Sequence, residues 1–297
     1  TALLKARAAK AKVVIGESAA ATLHHDRERV AAWGLTIVSD ADARLAAKDK
    51  GMGHIHLADL QPERIDRLVT ALGVPFDFDA VGVCAQDHGV APAGVSHLDF
   101  RHNLFAEALG ANPQPHRLLF HGDEVPAAFN RLRTIAATAA GLPTGAVHVM
   151  DSGMAAITGA ARDPRAAEEG CVVLDIATSH TVGAALEGGA VCGSFEYHTC
   201  DVTPVILDGL LEGLVAGTLS HGAIMAAGGH GAFMRKPLGI GSACPIIATG
   251  PKRRLALGAR HDLIWGAPWG DNMMTGTVGL YTALARRLGE DPAGRVL

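Results

Sequence analysis

Cys171-Val-Val-Leu-Asp-Ile-Ala-Thr-Ser-His-Thr-Val-Gly-Ala-Ala-Leu-Glu-Gly-Gly-Ala-Val-Cys-Gly193 is the stretch on which the fold turns. Its opening run is aliphatic and β-branched, the composition of a buried strand, and it stops at an acid, Asp175. Thr178, Ser179 and Thr181 then form a hydroxyl-rich bend, after which a second strand returns. Backbone N–H groups and hydroxyls in such a bend hold phosphate oxygens, with the carboxylate near a metal ion or its waters. An ordinary hairpin with a polar turn fits the same residues.

Composition narrows the setting. The chain has 297 residues, 48% of them hydrophobic, enough for one large or two medium domains with a true core. Aromatics are only 4% while glycine numbers 36, so packing relies on aliphatic side chains and close backbone approach, which favours α/β. A net charge of -4, with Lys and Arg scattered, argues against nucleic acid as a partner. No apolar run approaches the ~20 residues that cross a bilayer, and the first residues do not form a signal sequence. A cytoplasmic protein is the expectation. Cys84, Cys171, Cys192, Cys200 and Cys244 form no Cys-x-x-Cys pair, which disfavours a disulfide scaffold or a zinc ribbon. Thr1 opens a helical pattern, which weighs against its use as an N-terminal nucleophile.

Along the chain, short apolar runs alternate with amphipathic stretches. Strands are predicted at Val13–Gly16, Leu35–Val38, His54–Leu57, Ala80–Cys84, Arg117–Phe120 and Ala146–Met150. Helices are predicted from Gln61 to Leu72, from Val125 to Ala140 and from Gly153 to Ala161. After the hairpin come a long helix from Pro204 to Leu219, a glycine-rich loop at Ala226–Ala232, a strand at Pro245–Ala248 and a closing helix from Met273 to Leu288. The pattern predicts two α/β domains, 1–165 and 166–297, sharing a broad interface.

Several residues carry chemistry. Asp87 and His88 follow a strand, at the edge where open α/β sheets place ligands; Asp87 suits a general base or a ligand to metal-bound water, with His88 as its partner. A turn capped by Asp87 and closed by Gly89 is the alternative. Asp151 repeats the geometry, either as part of an anion site or as a helix N-cap. Of fifteen histidines, His198 and His230 stand out, because the glycine loop can bring an imidazole beside Glu196 or Asp271 as an acid-base or metal pair. The others, including His24-His25 and His54-x-His56, read as surface or hydrogen-bonded residues. Lys252-Arg253-Arg254 follows Gly250-Pro251 and suits phosphate or an adenine ring, or else a solvated helix face.

The order of these segments resembles the C-terminal domain of the actin, sugar kinase and Hsp70 ATPase superfamily. The resemblance implies a two-domain actin-like (ribonuclease H-like) architecture, phosphate at Asp175, Thr178 and Ser179, and a nucleoside side at Thr249, Gly250 and Lys252. More narrowly, the chain resembles domain-of-unknown-function family 1786, often labelled a pyruvate formate-lyase activating enzyme. Ala85-Gln-Asp-His-Gly89, Met150-Asp-Ser-Gly153, Leu174-Asp-Ile-Ala-Thr-Ser-His-Thr181, Phe195-Glu-Tyr-His-Thr199, Gly228-Gly-His-Gly231, Ala248-Thr-Gly-Pro251 and Trp269-Gly-Asp-Asn-Met-Met-Thr-Gly276 carry that likeness. Two features depart from the superfamily. No Asp-x-Gly-Thr phosphate hairpin precedes Val13, and Ala177 stands where such loops carry glycine. The activating-enzyme label also requires three closely spaced thiolates, which these cysteines do not supply.

The leading expectation is an ATPase or phosphotransferase using ATP and Mg, with Asp175 holding the metal through water and Asp87 orienting the attacking group. Its substrate is a small molecule or a protein, and the chain is a homo-oligomer or a complex subunit. The alternatives are a degenerate, non-catalytic structural or regulatory subunit, and a metal-dependent hydrolase built on His88, His198 and His230.

Overall fold

The computed structural model describes residues 2–24, 26–55, 58–92 and 94–292. His25, His56, Leu57 and Thr1, which entered the expectations above, lie outside the described residues. The chain divides into two compact units, Thr1–Gln61 and Pro62–Leu297. The first contains α1 (Ala2–Ala8), β1 (Val13–Gly16), α2 (Glu17–Leu23), α3 (Arg27–Ala32), β2 (Leu35–Val38) and α4 (Asp40–Ala46). Its two strands run parallel, and Ile15, Ala20, Val30 and Leu35 form its small core. Asp26 caps α3 and Ser39 caps α4, each accepting backbone N–H groups otherwise left without partners.

The second unit carries two sheets. α5 (Pro62–Ala71), β3 (Val81–Ala85), α6 (His97–Ala111), β4 (Leu119–His121), α7 (Asn130–Ala139), β5 (Val147–Asp151) and α8 (Ser152–Ala160) come first, and their strands form a three-stranded sheet ordered β3-β5-β4. β6 (Cys171–Ile176), β7 (His180–Glu187), β8 (Ala190–His198), α9 (Pro204–Ala216), α10 (His221–Ala226), β9 (Gly231–Met234), β10 (Ile246–Thr249), β11 (Leu263–Trp265) and α11 (Thr275–Arg287) follow. These strands make a six-stranded sheet ordered β11-β10-β6-β7-β8-β9. The quoted stretch is thus an antiparallel β6-β7 hairpin, with β8 returning against β7.

β6 is apolar from Cys171 to Leu174 because helices cover both of its faces. Val172, Leu174 and Ile176 pack with Leu207, Leu211 and Leu214 of α9. Cys171 and Val173 pack with Ala155, Ile157 and Ala160 of α8 and with Ala283 of α11. Asp175 continues that second row, toward the α8 side. The low aromatic content is matched by backbone-to-backbone packing of α8 on α11, where a Cβ on Gly159 would run into Thr275 O and one on Gly279 into Ala155 O.

Some elements differ from expectation. α7 begins only at Asn130, after a turn-rich segment that follows β4. The glycine loop is shorter than expected, because Gly231–Met234 adds to the sheet edge against β8. α6 was not anticipated: it shows no regular apolar stripe, since it turns Arg101 inward along with Leu109. Among the described residues, no helix is long and apolar enough to cross a membrane.

Candidate functional site

The site gathers at the open end of the hairpin. In the antiparallel register His180, the first residue of β7, lies directly opposite His198, the last of β8. Period-two alternation puts Glu196 and His198 on one face and Phe195 and Tyr197 in the α9 core on the other. Glu196 pairs with Gly231 of β9, and His230 N donates to Glu196 O at 2.9 Å, which brings His230 to the same corner. The ring centroids are 5.1 Å apart for His180 and His198, 4.8 Å for His180 and His230, and 4.1 Å for His198 and His230. One ring nitrogen from each of the three falls within 4.8 Å of the other two. His198 is exposed, His180 half-buried and His230 buried, so the group opens to solvent on one side.

Neighbouring groups orient these rings. His180 Nδ1 lies 3.1 Å from Ser179 Oγ; when it carries the proton and donates to that hydroxyl, Nε2 is left with its lone pair. His230 Nε2 lies 2.8 Å from His198 Nε2, while its Nδ1 is 3.6 Å from Glu196 Oε1. Burial lowers the pKa of His180 and, with the Arg101 charge, brings His88 down to about 4. Both rings are therefore neutral near pH 7, the form that binds metals and accepts protons. The His88 and His180 centroids are 6.3 Å apart, and His88 Nδ1 is buried without a hydrogen bond.

Behind the histidines sits Arg101, 7% exposed, at the junction of the two sheets. It donates to Asp87 O at 2.5 Å, to Asp151 Oδ2 at 2.9 Å and to Glu196 Oε2 at 3.3 Å. Gln86 Nε2 donates to Glu196 Oε1 at 2.8 Å. Burial opposes the charge on Glu196, but His230, Arg101 and His180 outweigh it and hold the carboxyl at about 2. Burial likewise opposes the charge on Arg101, and Asp151 and Glu196 more than restore it, raising its pKa above the ordinary value.

The residues singled out in the sequence fall into separate places. Asp87 is 2% exposed, and its two oxygens accept Gly89 N and Leu132 N, each at 2.9 Å, which is the capped-turn arrangement. Asp151 caps α8 through Gly153 N at 2.9 Å while also pairing with Arg101. Asp175 lies beside Thr249 in the parallel β6-β10 register and accepts its hydroxyl at 3.0 Å; burial raises its pKa. Thr178 and Ser179 are exposed in the turn. Thr181 is fully buried, its hydroxyl 3.0 Å from that of Thr199. Gly250 takes φ +92, where a Cβ would strike Ile176 O, and Lys252 is exposed beyond it. Asp271 caps the turn at Asn272–Met274 through Met273 N at 2.8 Å, so Glu196 is the acid beside His230.

Sequence reasoning kept His198 and His230 but missed His180 and Arg101. His180 was in view inside the quoted hairpin, but pairing the strands about the two-residue Gly188-Gly189 turn would set it opposite Tyr197; the bulge at Ala185–Leu186 moves it opposite His198. Arg101 left no comparable signal, because nothing local marks a helical arginine as buried.

Residues 1–255 match a family described as "Putative pyruvate format-lyase activating enzyme (DUF1786)". No curated protein matches the chain.

Proposed function

We propose that this chain, which belongs to the DUF1786 family, is a metal-dependent hydrolase centred on His180, His198 and His230. The observation that carries the reading is the convergence of one nitrogen from each ring within 4.8 Å. A divalent first-row ion held by three imidazoles keeps open positions, lowers the pKa of a bound water to about 7 and polarises a substrate oxygen. Ser179 orients His180, and the Glu196 carboxylate stands 3.6 Å from His230 Nδ1, supplying negative charge beside that ring. Arg101 and Gln86 in turn hold Glu196. His88 lies beside His180, ring centroids 6.3 Å apart, and forms a further wall of the corner.

The family description speaks of an activating enzyme, whose radical chemistry needs three thiolates on one iron-sulfur cluster. Cys171, Cys192 and Cys244 are buried, Cys84 is half-buried and Cys200 exposed. Burial pushes the Cys171 thiol up to about 12. Among the described residues no cysteines join a metal-sized group, so this donor set does not fit such a cluster.

A second reading, ATP-dependent phosphotransfer with magnesium near Asp175, has its own support. The hairpin ends at Asp175 beside Thr249, and the left-handed Gly250 brings the following loop against Ile176. Elemental analysis of untagged protein, with calorimetric titration of Zn2+, Mn2+ and Fe2+, tests the first reading. It expects about one ion per chain, lost in His198→Ala. Absence of stoichiometric binding to the wild-type chain overturns it. Heat with ATP and Mg2+, lost in Asp175→Asn, would favour the second reading, and neither signal leaves a non-catalytic subunit.

A further inference from the structure

A small, open-mouthed cleft of about 60 Å³ lies between α6 and strands β7, β8 and β9, and His230 of the histidine corner is one of its lining residues. Glu196, His230 and Arg101 are among its polar lining residues. Its walls are hydrocarbon: Leu98, Phe105 and Leu109 from α6, Met154 from α8, Val182 from β7 and Phe233 from β9. The Phe105 ring lies 4.7 Å from the Arg101 guanidinium, so the one cation lining the cleft among the described residues is covered by an aromatic face. That cation is already shared between Asp151 and Glu196. At the rim, His102 stacks on His221 with centroids 3.7 Å apart, and His221 Nε2 meets Asp99 Oδ1 at 2.8 Å. A charged group placed among Leu98, Phe105 and Leu109 would lose its water and gain no partner. A hydrocarbon chain there gains from leaving water.

We propose that the substrate of the metal corner is an ester or amide of a short aliphatic acid, its carbonyl toward the histidines and its uncharged chain along the α6 wall. The inference rests on the hydrolase reading and adds to it the chemical class of the substrate. In the reaction, water adds its hydroxyl to the carbonyl carbon, the acyl C–O or C–N bond breaks, and the leaving alcohol or amine takes the proton. Products are a free acid and an alcohol or amine, with no oxidant or reductant required.

The test uses aliphatic hydroxamates, whose head group chelates a metal while the chain reports on the wall. Calorimetry on the Zn2+-loaded full chain should give affinity that rises from acetohydroxamate to butanohydroxamate by about fourfold per added methylene. A four-carbon hydroxamate ending in a carboxylate should bind no better than acetohydroxamate. Leu98→Glu, at a half-buried wall position, should flatten the chain-length series while metal content stays unchanged. Equal affinity along the series with the head group bound, or tight binding of the carboxylate-ended chain, overturns the substrate class and leaves the metal reading standing. If the protein takes up no metal, that reading fails by itself. Straight-chain alcohols titrated into metal-free protein then probe the wall alone: affinity rising with length supports it, and a flat series overturns it.

Discussion

Nε2 of His230 stands 2.8 Å from Nε2 of His198, two ring nitrogens directed at one another across the β8-β9 edge. Two bare lone pairs at that distance repel, so the pair requires a shared proton or a cation bridging them. The third imidazole and the Glu196 carboxylate on the same corner favour a cation. That balance decides what each substitution below should do.

Metal binding should stabilise the fold by mass action. Zn2+ at a hundred times its Kd adds roughly 2.7 kcal/mol of unfolding free energy to the wild-type chain. His198 is exposed, so His198→Ala should keep its metal-free stability and lose the Zn2+-dependent rise in Tm. A rise of the same size in the variant would remove His198 from the ligand set.

Glu196→Gln keeps the shape of the side chain and removes the charge behind His230. Loss of that nearby charge should lower metal affinity by about 10-fold, the lower end for carboxylates around a metal site. Competition against a chromophoric chelator measures it, and an unchanged affinity would show that Glu196 does not act on the metal through His230.

Arg101→Met leaves Asp151 and Glu196 buried without their cation. Breaking a buried pair from one side costs about 3–5 kcal/mol, read from the midpoint of urea unfolding. Adding Glu196→Gln to it should recover part of that loss, because one orphaned charge disappears. Purely additive effects would mean that the two side chains are energetically independent.

Gly279→Ala places a methyl against the backbone of Ala155. With backbone on both sides, relief requires α8 and α11 to separate, at a cost of about 3 kcal/mol or more. Thermal unfolding checks this, and a stability within a few tenths of wild type would show that the helices sit further apart.

Asp163 is buried, accepts from Arg165 and from Ala267 N, and is held at about 2, first by its hydrogen bond with Arg165. A depressed carboxyl contributes stability that is full above its unfolded pKa and is lost as pH falls through its folded one. The excess stability of wild type over Asp163→Asn should therefore hold steady above about pH 5 and shrink by roughly 2 kcal/mol between about pH 4 and pH 2. A difference that does not vary with pH across this window would contradict the ion pair.

Much was legible in the chain itself. The apolar run ending at Asp175 forms a strand buried on both faces, because its side chains have no polar face to offer water. Asp151 before a small-residue segment is a helix N-cap because its carboxylate reaches the first free backbone amides. The scarcity of aromatic residues foretold close backbone packing, realised at Gly159 and Gly279. Each of these outcomes depends on neighbours in sequence or on composition. The histidine corner does not. His180, His198 and His230 meet only because β7, β8 and β9 pair in one register, and a one-residue slip would turn His180 to the opposite face. Arg101 likewise has meaning only once α6 is laid across the ends of β3, β5 and β8, where three oxygen acceptors converge. Local chemistry fixed the strands and caps, whereas strand register and helix placement, set by packing between distant segments, assembled the site.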